Sequence, residues 1–142
     1  MFSACATRMR YERLEHTADV LIKAFGNSIE ECFGNAAYAM LDTVLDISTV
    51  ESLETVCFSV DGDNLYDKLY NFLSELLYLF DAEHFVPAEF NISLSQNTLR
   101  CESKGERYNP LKHDPKTEIK AVTYHKMNID LDEPSITVLF DV

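Results

Sequence analysis

The sequence predicts an α+β fold, a single two-layer domain in which two main helices pack on one mixed β-sheet. The prediction rests on two stretches with apolar residues at helical spacing and on several shorter stretches that alternate polar and apolar residues, as strands do. In chain order these are two strands, a helix, a strand, a second helix and a block of four strands. A chain of 142 residues, 46% of them hydrophobic, suffices for one domain with a full core.

The first helix follows two short strands. Residues 11–14 and 20–25 are the strand candidates. Ser28 and Glu31 then match a capping box, in which the two side chains bond to backbone N–H groups at the start of a helix. Apolar residues recur after them at i, i+3, i+4 and i+7, which predicts a helix that ends near Asp46.

The middle of the chain predicts a strand and the second helix. Residues 51–60 alternate, with the apolar side chains on one face. Asp63 is expected to cap the next helix, whose apolar stripe runs from residue 65 to about residue 82.

The last third is predicted to be mainly β-structure. Alternation at residues 88–95 and 98–104 predicts a hairpin. Residues 105–117 contain two prolines and no periodicity, which predicts a loop that is functional or mobile. Two further strands are expected at 120–130 and 135–142.

The charge excludes one class of function. The chain has 12 Lys and Arg against 24 Asp and Glu, a net charge of −12. Because a surface that grips phosphate backbones needs basic residues, tight direct nucleic-acid binding is not expected. A basic protein partner or a metal ion is easier to accommodate. No apolar run reaches the roughly 18 residues of a membrane span, so no membrane association is expected either.

The cysteines and the N-terminus bear on location. No two cysteines have the Cys-x-x-Cys spacing of a zinc site, and Cys32, Cys57 and Cys101 are interpreted as small core residues in a reducing compartment. Residues 1–10 are predicted to be a flexible N-terminal segment without a secretory signal, and residues 11–142 to form the domain. The protein is therefore expected to be intracellular.

The end of the chain suggests a hard-cation site. The last predicted strand runs to the final residue, so that Asp141 stands beside the terminal carboxylate of Val142. Two negative charges so close are costly unless a cation or donors compensate them. Asp19, directly before a buried strand, could bring a third carboxylate to the same cleft. Carboxylates and carbonyls are ligands for Ca²⁺ or Mg²⁺. Turn chemistry at Asp19 and a gatekeeping edge charge at Asp141 are the alternatives.

A polar pair lies on the strand at 120–130. Alternation places Thr123 and His125 on one face with five apolar residues, so both are expected near the core or in a pocket. The five apolar residues are Ile119, Ala121, Met127, Ile129 and Leu131. A hydrogen-bonded structural histidine is the alternative to a site-lining pair.

Two rival functions follow from the residues. The main one is a free-standing phosphohydrolase that uses a divalent metal, with His16 or His125 as general base. The other is a chaperone-like binding module with an aromatic surface. The sequence contains no Gly-rich phosphate loop and no His-Glu-x-x-His motif, so self-sufficient catalysis is not expected.

Several groups of residues, taken in order, resemble the motifs of the archease family. The similarity covers residues 11–142 and rests on segments 15–20, 35–40 and 73–80, on Gly105-Glu106-x-Tyr108 with His113, and on segments 119–125 and 140–142.

The resemblance implies an accessory protein of the RtcB-type RNA ligase, which joins tRNA exon halves after intron removal. Members of the family assist formation and turnover of the guanylated-histidine intermediate of the ligase, and eukaryotic members work with a DEAD-box helicase. A cytoplasmic or nuclear location is then expected.

The resemblance also implies a site for a divalent cation, with Ca²⁺ expected first and Mg²⁺ or Mn²⁺ as alternatives. Its ligands would be Asp19, Asp141 and Val142. The residues expected to line the site are His16, Thr123, His125, Lys120 and His113. The cation could stabilise phosphate charge or help position the ligase's own metals, and both roles stay open.

Overall fold

The computed structural model describes residues 9–14 and 18–142 and has an α+β fold, which confirms the predicted class. In chain order the elements are β1 (Tyr11–Leu14), β2 (Val20–Phe25), α1 (Ile29–Val44), a 3₁₀ turn (Ile47–Thr49), β3 (Glu54–Asp61), α2 (Leu65–Glu83), β4 (Phe85–Leu94), β5 (Thr98–Arg107), α3 (Pro110–His113), β6 (Ala121–Asp130) and β7 (Ser135–Asp141). The expected flexible segment, residues 1–10, lies outside the described residues except for Met9 and Arg10. Within the described parts of the chain, no helix combines the length and apolarity that crossing a bilayer requires.

The strands form two antiparallel sheets, so the prediction of one mixed sheet is wrong. One sheet has the order β1-β2-β7-β6 and the other the order β3-β5-β4. Every neighbouring pair is antiparallel. Periodicity identifies a strand but not its partner, and here β2 pairs with a strand from the opposite end of the sequence.

Both long helices begin with a side-chain cap. At α1 the Ser28 hydroxyl accepts the N–H of Glu31 at 3.1 Å, which confirms half of the predicted capping box. At α2 the cap is Asn64, whose side chain accepts the N–H of Asp67 at 2.9 Å. The prediction of Asp63 as the cap is therefore wrong by one residue.

The two helices share one core with both sheets. Helix α1 packs on β4 and β2, and α2 packs on β6 and β3. At the centre, the ring of Phe72 lies 6.3 Å from that of Phe33 and 6.1 Å from that of Phe58. Full burial of a side chain such as Phe33 or Phe72 contributes about 1.5–3 kcal/mol, so this cluster is one part of a core to which both sheets and both helices contribute.

Strand β3 covers this core with one face only. Val56, Phe58 and Val60 are half-buried, as predicted, and the same alternation turns Cys57 outward. Cys32 and Cys101 are buried core residues as expected, but Cys57 is exposed, so its assignment to the core is wrong.

Strand β6 contains a bulge that reverses its alternation. The ladder with β7 pairs Thr123 with Leu139 and resumes with Asn128 opposite Thr137, so residues 124–127 of β6 stand opposite one residue of β7. Three extra residues are an odd number, and an odd insertion exchanges the two faces of a strand.

The bulge corrects the predicted face of this strand. Before it, Val122 is buried, whereas Ala121 and Thr123 lie on the other face. After it, Met127 and Ile129 pack against the core. The predicted single apolar face from Ile119 to Leu131 is therefore wrong, and Leu131 is exposed.

Two glycines test the packing around β4. A methyl group at Gly105 would clash with the backbone of Val86 and Pro87, whereas at Gly34 its nearest neighbour would be Phe90 Cβ at 3.5 Å. We expect Gly105→Ala to lower the free energy of unfolding by about 1–3 kcal/mol through overpacking. Gly34→Ala, inside α1, should raise it by about 0.5–1 kcal/mol. Urea unfolding of both variants measures the difference, and equal stabilities would contradict this account.

Candidate metal site at one end of the four-stranded sheet

Strand β7 lies between β2 and β6 and sets the geometry of the candidate site. Its ladders pair Phe140 with Val20 on one side and Asp141 with Ala121 on the other. Continuing the antiparallel register by one residue places Asp19 beside Asp141. The two acids predicted from opposite ends of the chain thus occupy neighbouring positions at one end of this sheet.

Both acids belong to the outer face of the sheet. Val20 and Phe140 are buried in the core, and side chains alternate along a strand, so the carboxylates of Asp19 and Asp141 lie on the opposite face. Asp141 is exposed and Asp19 is partly exposed. The pair is therefore accessible to water and to an ion.

The main chain next to Asp141 is fixed by β6. The Lys120 N–H donates to the main-chain oxygen of Asp141 at 2.7 Å. The side chain of Val142 packs against the core, in keeping with alternation. The main-chain oxygen of Asp141 is thus already engaged, and that of Val142 is the next one available along the strand.

The donor set fits a hard cation. In the described residues, 9–14 and 18–142, no group of three or more His, Cys, Asp or Glu side chains is placed to hold a metal ion. A site at Asp19 and Asp141 would therefore consist of two carboxylates completed by main-chain oxygen and water. Ca²⁺ accepts such mixed oxygen shells with flexible geometry, and Mg²⁺ keeps several waters. His16 lies outside the described residues.

The structure separates Thr123 from His125. Thr123 pairs with Leu139 on the outer face, two residues along β6 from the residue that pairs with Asp141, and its hydroxyl donates to the Leu139 carbonyl at 3.0 Å. His125 lies in the bulge and is exposed, so the expectation that it lies near the core or in a pocket is wrong. The three extra residues carry it away from the ladder.

His113 is a fully buried structural residue. Its Nδ1 accepts the N–H of Asn109 at 2.9 Å, so the ring proton is on Nε2, which donates to the Glu106 carboxylate at 2.9 Å. The ring of Tyr108 stacks on it with 5.8 Å between centroids. Both ring nitrogens are used within the fold, and His113 does not line an open cleft.

Glu106 is the centre of a network that sequence reasoning missed. Its carboxylate also accepts the backbone N–H of Glu51 at 2.9 Å and forms an ion pair with Lys112 at 2.8 Å. Burial alone would raise the pKa of the Glu106 carboxyl. The bonds from Lys112, His113 and Glu51 outweigh burial and lower this pKa to about 2. A glutamate in an aperiodic segment gives no sign of burial, because burial depends on its partners.

The Glu106 network gives a pH-dependent prediction. A pKa lowered from about 4.5 to about 2 on folding means that the unfolded state binds more protons in that range, so the network stabilises the protein above pH 4.5 and is lost as pH falls toward 2. Glu106→Gln should unfold at lower denaturant concentration at pH 7, and its deficit against the unchanged protein should shrink between pH 5 and 2. Glu102→Gln, on the exposed face of the same strand, is the matched control. A deficit that is constant with pH would contradict the prediction.

Comparison with known proteins identifies relatives of the chain. The model of the Archease protein family (MTH1598/TM1083) matches residues 11–142. The archease of Pyrococcus furiosus is 39% identical over 125 residues, which cover 85% of this chain and 88% of the relative. That of Danio rerio is 38% identical over 138 residues, 94% of this chain and 85% of the relative.

Solved structures have the same fold. The solution structure of Methanobacterium thermoautotrophicum protein 1598 superposes with a TM-score of 0.79 at 29% identity, over 94% of this chain and 99% of that one. An archease and possible chaperone from Thermotoga maritima superposes with a TM-score of 0.58 at 26% identity, over 95% of this chain and 98% of that one. Because the family model matches nearly the whole described chain and the sequence relatives share more than a third of their residues with it, this protein belongs to the archease family.

Proposed function

We propose that this protein is a metal-binding accessory protein of an RtcB-type RNA ligase and stimulates guanylation and multiple turnover of the ligase in tRNA exon ligation. The observation that carries the proposal is the register of β7, which sets Asp19 and Asp141 side by side on an exposed face. Family membership supports the choice of partner. In a eukaryotic cell the complex would include a DEAD-box helicase and work in the cytoplasm or the nucleus.

The residues at the sheet end have distinct parts in this proposal. Asp19 and Asp141 hold the ion, and the hydrogen bond from Lys120 to the Asp141 main chain fixes the strand that carries one of them. When bound, a divalent cation supplies Lewis acidity toward a phosphate oxygen. Because the carboxylates are exposed, such an oxygen could reach the ion from a partner's active site.

The acidity of the chain favours a protein partner over RNA. A ligase that binds RNA and GTP needs a basic cleft, and a protein of net charge −12 is attracted to it. The same charge repels free tRNA. We therefore propose that the protein reaches RNA only through the ligase.

Replacement of Asp19 tests the function directly. Asp19→Asn removes one of two carboxylates and keeps the shape of the side chain, so Ca²⁺ affinity should fall about tenfold or more. Multiple-turnover ligation by a purified RtcB-type ligase should lose its stimulation, while circular dichroism stays unchanged. Asp63→Asn, at an exposed position before α2, is the control.

The outcomes of this experiment separate the rival functions. Unchanged ion affinity in calorimetry would remove Asp19 from the site. Nucleotide hydrolysis by the protein alone, with Mg²⁺ or Mn²⁺ and dependent on Asp19, would favour the phosphohydrolase instead. Stimulation that survives the loss of Asp19 would favour a chaperone-like module.

The position of Val142 gives a second test of the site. If its main-chain oxygen contributes to ion binding, Val142→Ile should be nearly silent, because it changes only the side chain by one methylene. A chain shortened by Val142 should bind Ca²⁺ more weakly and stimulate ligation less, with the same circular dichroism spectrum. Full stimulation by the shortened chain would exclude Val142 from the site.

A further inference from the structure

A cleft of about 250 Å³ opens between the second half of α2 and the segment at 115–119. Its floor is apolar and consists of the buried Val44, Leu77 and Ile119. One wall is aromatic, where the rings of Phe80 and Tyr108 meet edge to face with 4.9 Å between centroids. Because the floor residues are almost fully covered, the accessible apolar surface of the cleft comes mainly from the half-buried rings of Phe80 and Tyr108.

Two acids stand at the rim of this cleft. Asp81 comes from α2 and Glu118 from the segment that leads into β6, and both are exposed. Partial burial, together with the negative charge of Glu118, raises the pKa of the Asp81 carboxyl, while His84 acts in the opposite direction. Both carboxylates border the same cleft, so negative charge is concentrated at its rim.

Neither acid is neutralised by a neighbouring Lys or Arg within the described chain. Ion pairs within 4.0 Å there involve neither Asp81 nor Glu118. Lys116 also lines the cleft, but its ammonium lies 3.6 Å from the Asp42 carboxylate and donates to the Asp42 carbonyl at 3.1 Å. The negative charge of the two rim carboxylates can therefore be neutralised by a cation from another molecule.

We propose that this cleft docks a Lys or Arg side chain of the ligase, with its aliphatic stem against the aromatic wall of Phe80 and Tyr108 and its cation between Asp81 and Glu118. Such side chains bury their methylene groups while the charged end stays at a polar rim. An anionic occupant would be repelled, and a neutral apolar one would desolvate the acids without compensation. This inference rests on the proposed function, because it assigns the basic residue to the same ligase.

The cleft is connected to the sheet end through two consecutive residues. Ile119 contributes to the floor, and the N–H of Lys120 donates to the main-chain oxygen of Asp141 at 2.7 Å. A basic side chain held in the cleft would therefore fix the ligase next to Asp19 and Asp141. The cleft would act as an anchor and the sheet end as the functional site.

The experiment compares two double variants with the same change in net charge. Asp81→Asn with Glu118→Gln neutralises the rim, and Asp63→Asn with Glu102→Gln neutralises two exposed acids that do not line the cleft. Binding to a purified RtcB-type ligase is measured by calorimetry at two salt concentrations. The rim variant should bind about tenfold more weakly than the control variant and lose less affinity with added salt, because it has lost a local ion pair that salt screens.

Further readouts separate this inference from the proposed function. The rim variant should bind Ca²⁺ like the unchanged protein and regain full stimulation of ligation at saturating concentration. Equal affinities of the rim and control variants for the ligase would overturn the docking proposal alone. An unchanged protein that neither binds nor stimulates the ligase would overturn the proposed function, and the docking proposal with it.

NMR spectroscopy of the complex gives a separate readout of the cleft. The methyl resonances of Leu77 and Ile119 should shift when the ligase binds, and unshifted methyls would also contradict docking at the cleft.

Discussion

The register of β7 between β2 and β6 is the constraint on which the candidate site depends. Ile136, Val138 and Phe140 project from β7 into the core and are fully buried. A slip by one residue would exchange the faces of the strand, remove all three from the core and turn Thr137 and Asp141 into it. Each buried side chain of this kind contributes about 1.5–3 kcal/mol, whereas two exposed unit charges about 4 Å apart repel by only about 1 kcal/mol in water. Core burial therefore fixes Asp141 beside Asp19 despite their like charge.

A second set of contacts holds the segment between β5 and β6, which the sequence predicted as a loop that is functional or mobile. The helix α3 begins within it, and the backbone N–H groups of Lys116 and Thr117 donate to the carbonyls of Val44 and Thr43 at 2.8 and 3.1 Å. These carbonyls belong to the last turn of α1, where no helical donor is available to them. The segment is thus tied to α1 at one end and to Glu106 at the other. Its closure onto α1 places Ile119 in the floor of the cleft.

The sequence predicted those features that depend on local periodicity or local hydrogen bonds. The alternation of β3 and the Ser28 cap are of this kind, and both agree with the structure. The hairpin of β4 and β5 was also predicted and is confirmed, because a short turn joins its strands. The pairing of strands that are distant in the sequence was not predicted, because alternation does not identify a strand's partner. The bulge in β6 was missed as well, because no glycine or proline marks it in the sequence. Its exposed residues, Tyr124, His125 and Lys126, leave the ladder because the register of β7 is fixed on both sides of them.

The candidate site was predictable in part because each of its two acids adjoins an apolar strand, although the pairing of those two strands was not predicted. Asp19 and Asp141 each adjoin a buried residue, so alternation alone assigns them to the outer face once β2 and β7 pair. The acids of the cleft gave no comparable signal. Asp81 lies on the polar side of a helix and Glu118 in an aperiodic segment, and they come together only through the hydrogen bonds that hold that segment on α1.

The two acid pairs differ in their surroundings, and this difference is the reason why we propose a different cation for each. Asp19 and Asp141 lie on an exposed sheet face with main-chain oxygen nearby, where a strongly hydrated divalent ion can keep part of its water. Asp81 and Glu118 border a cleft with a half-buried aromatic wall of Phe80 and Tyr108, where retained water would cover apolar surface. An alkyl ammonium or guanidinium removes that surface from water and satisfies the charge at the same time. If both proposals hold, the sheet end would bind a hydrated divalent ion and the cleft a basic side chain, although each site carries two carboxylates.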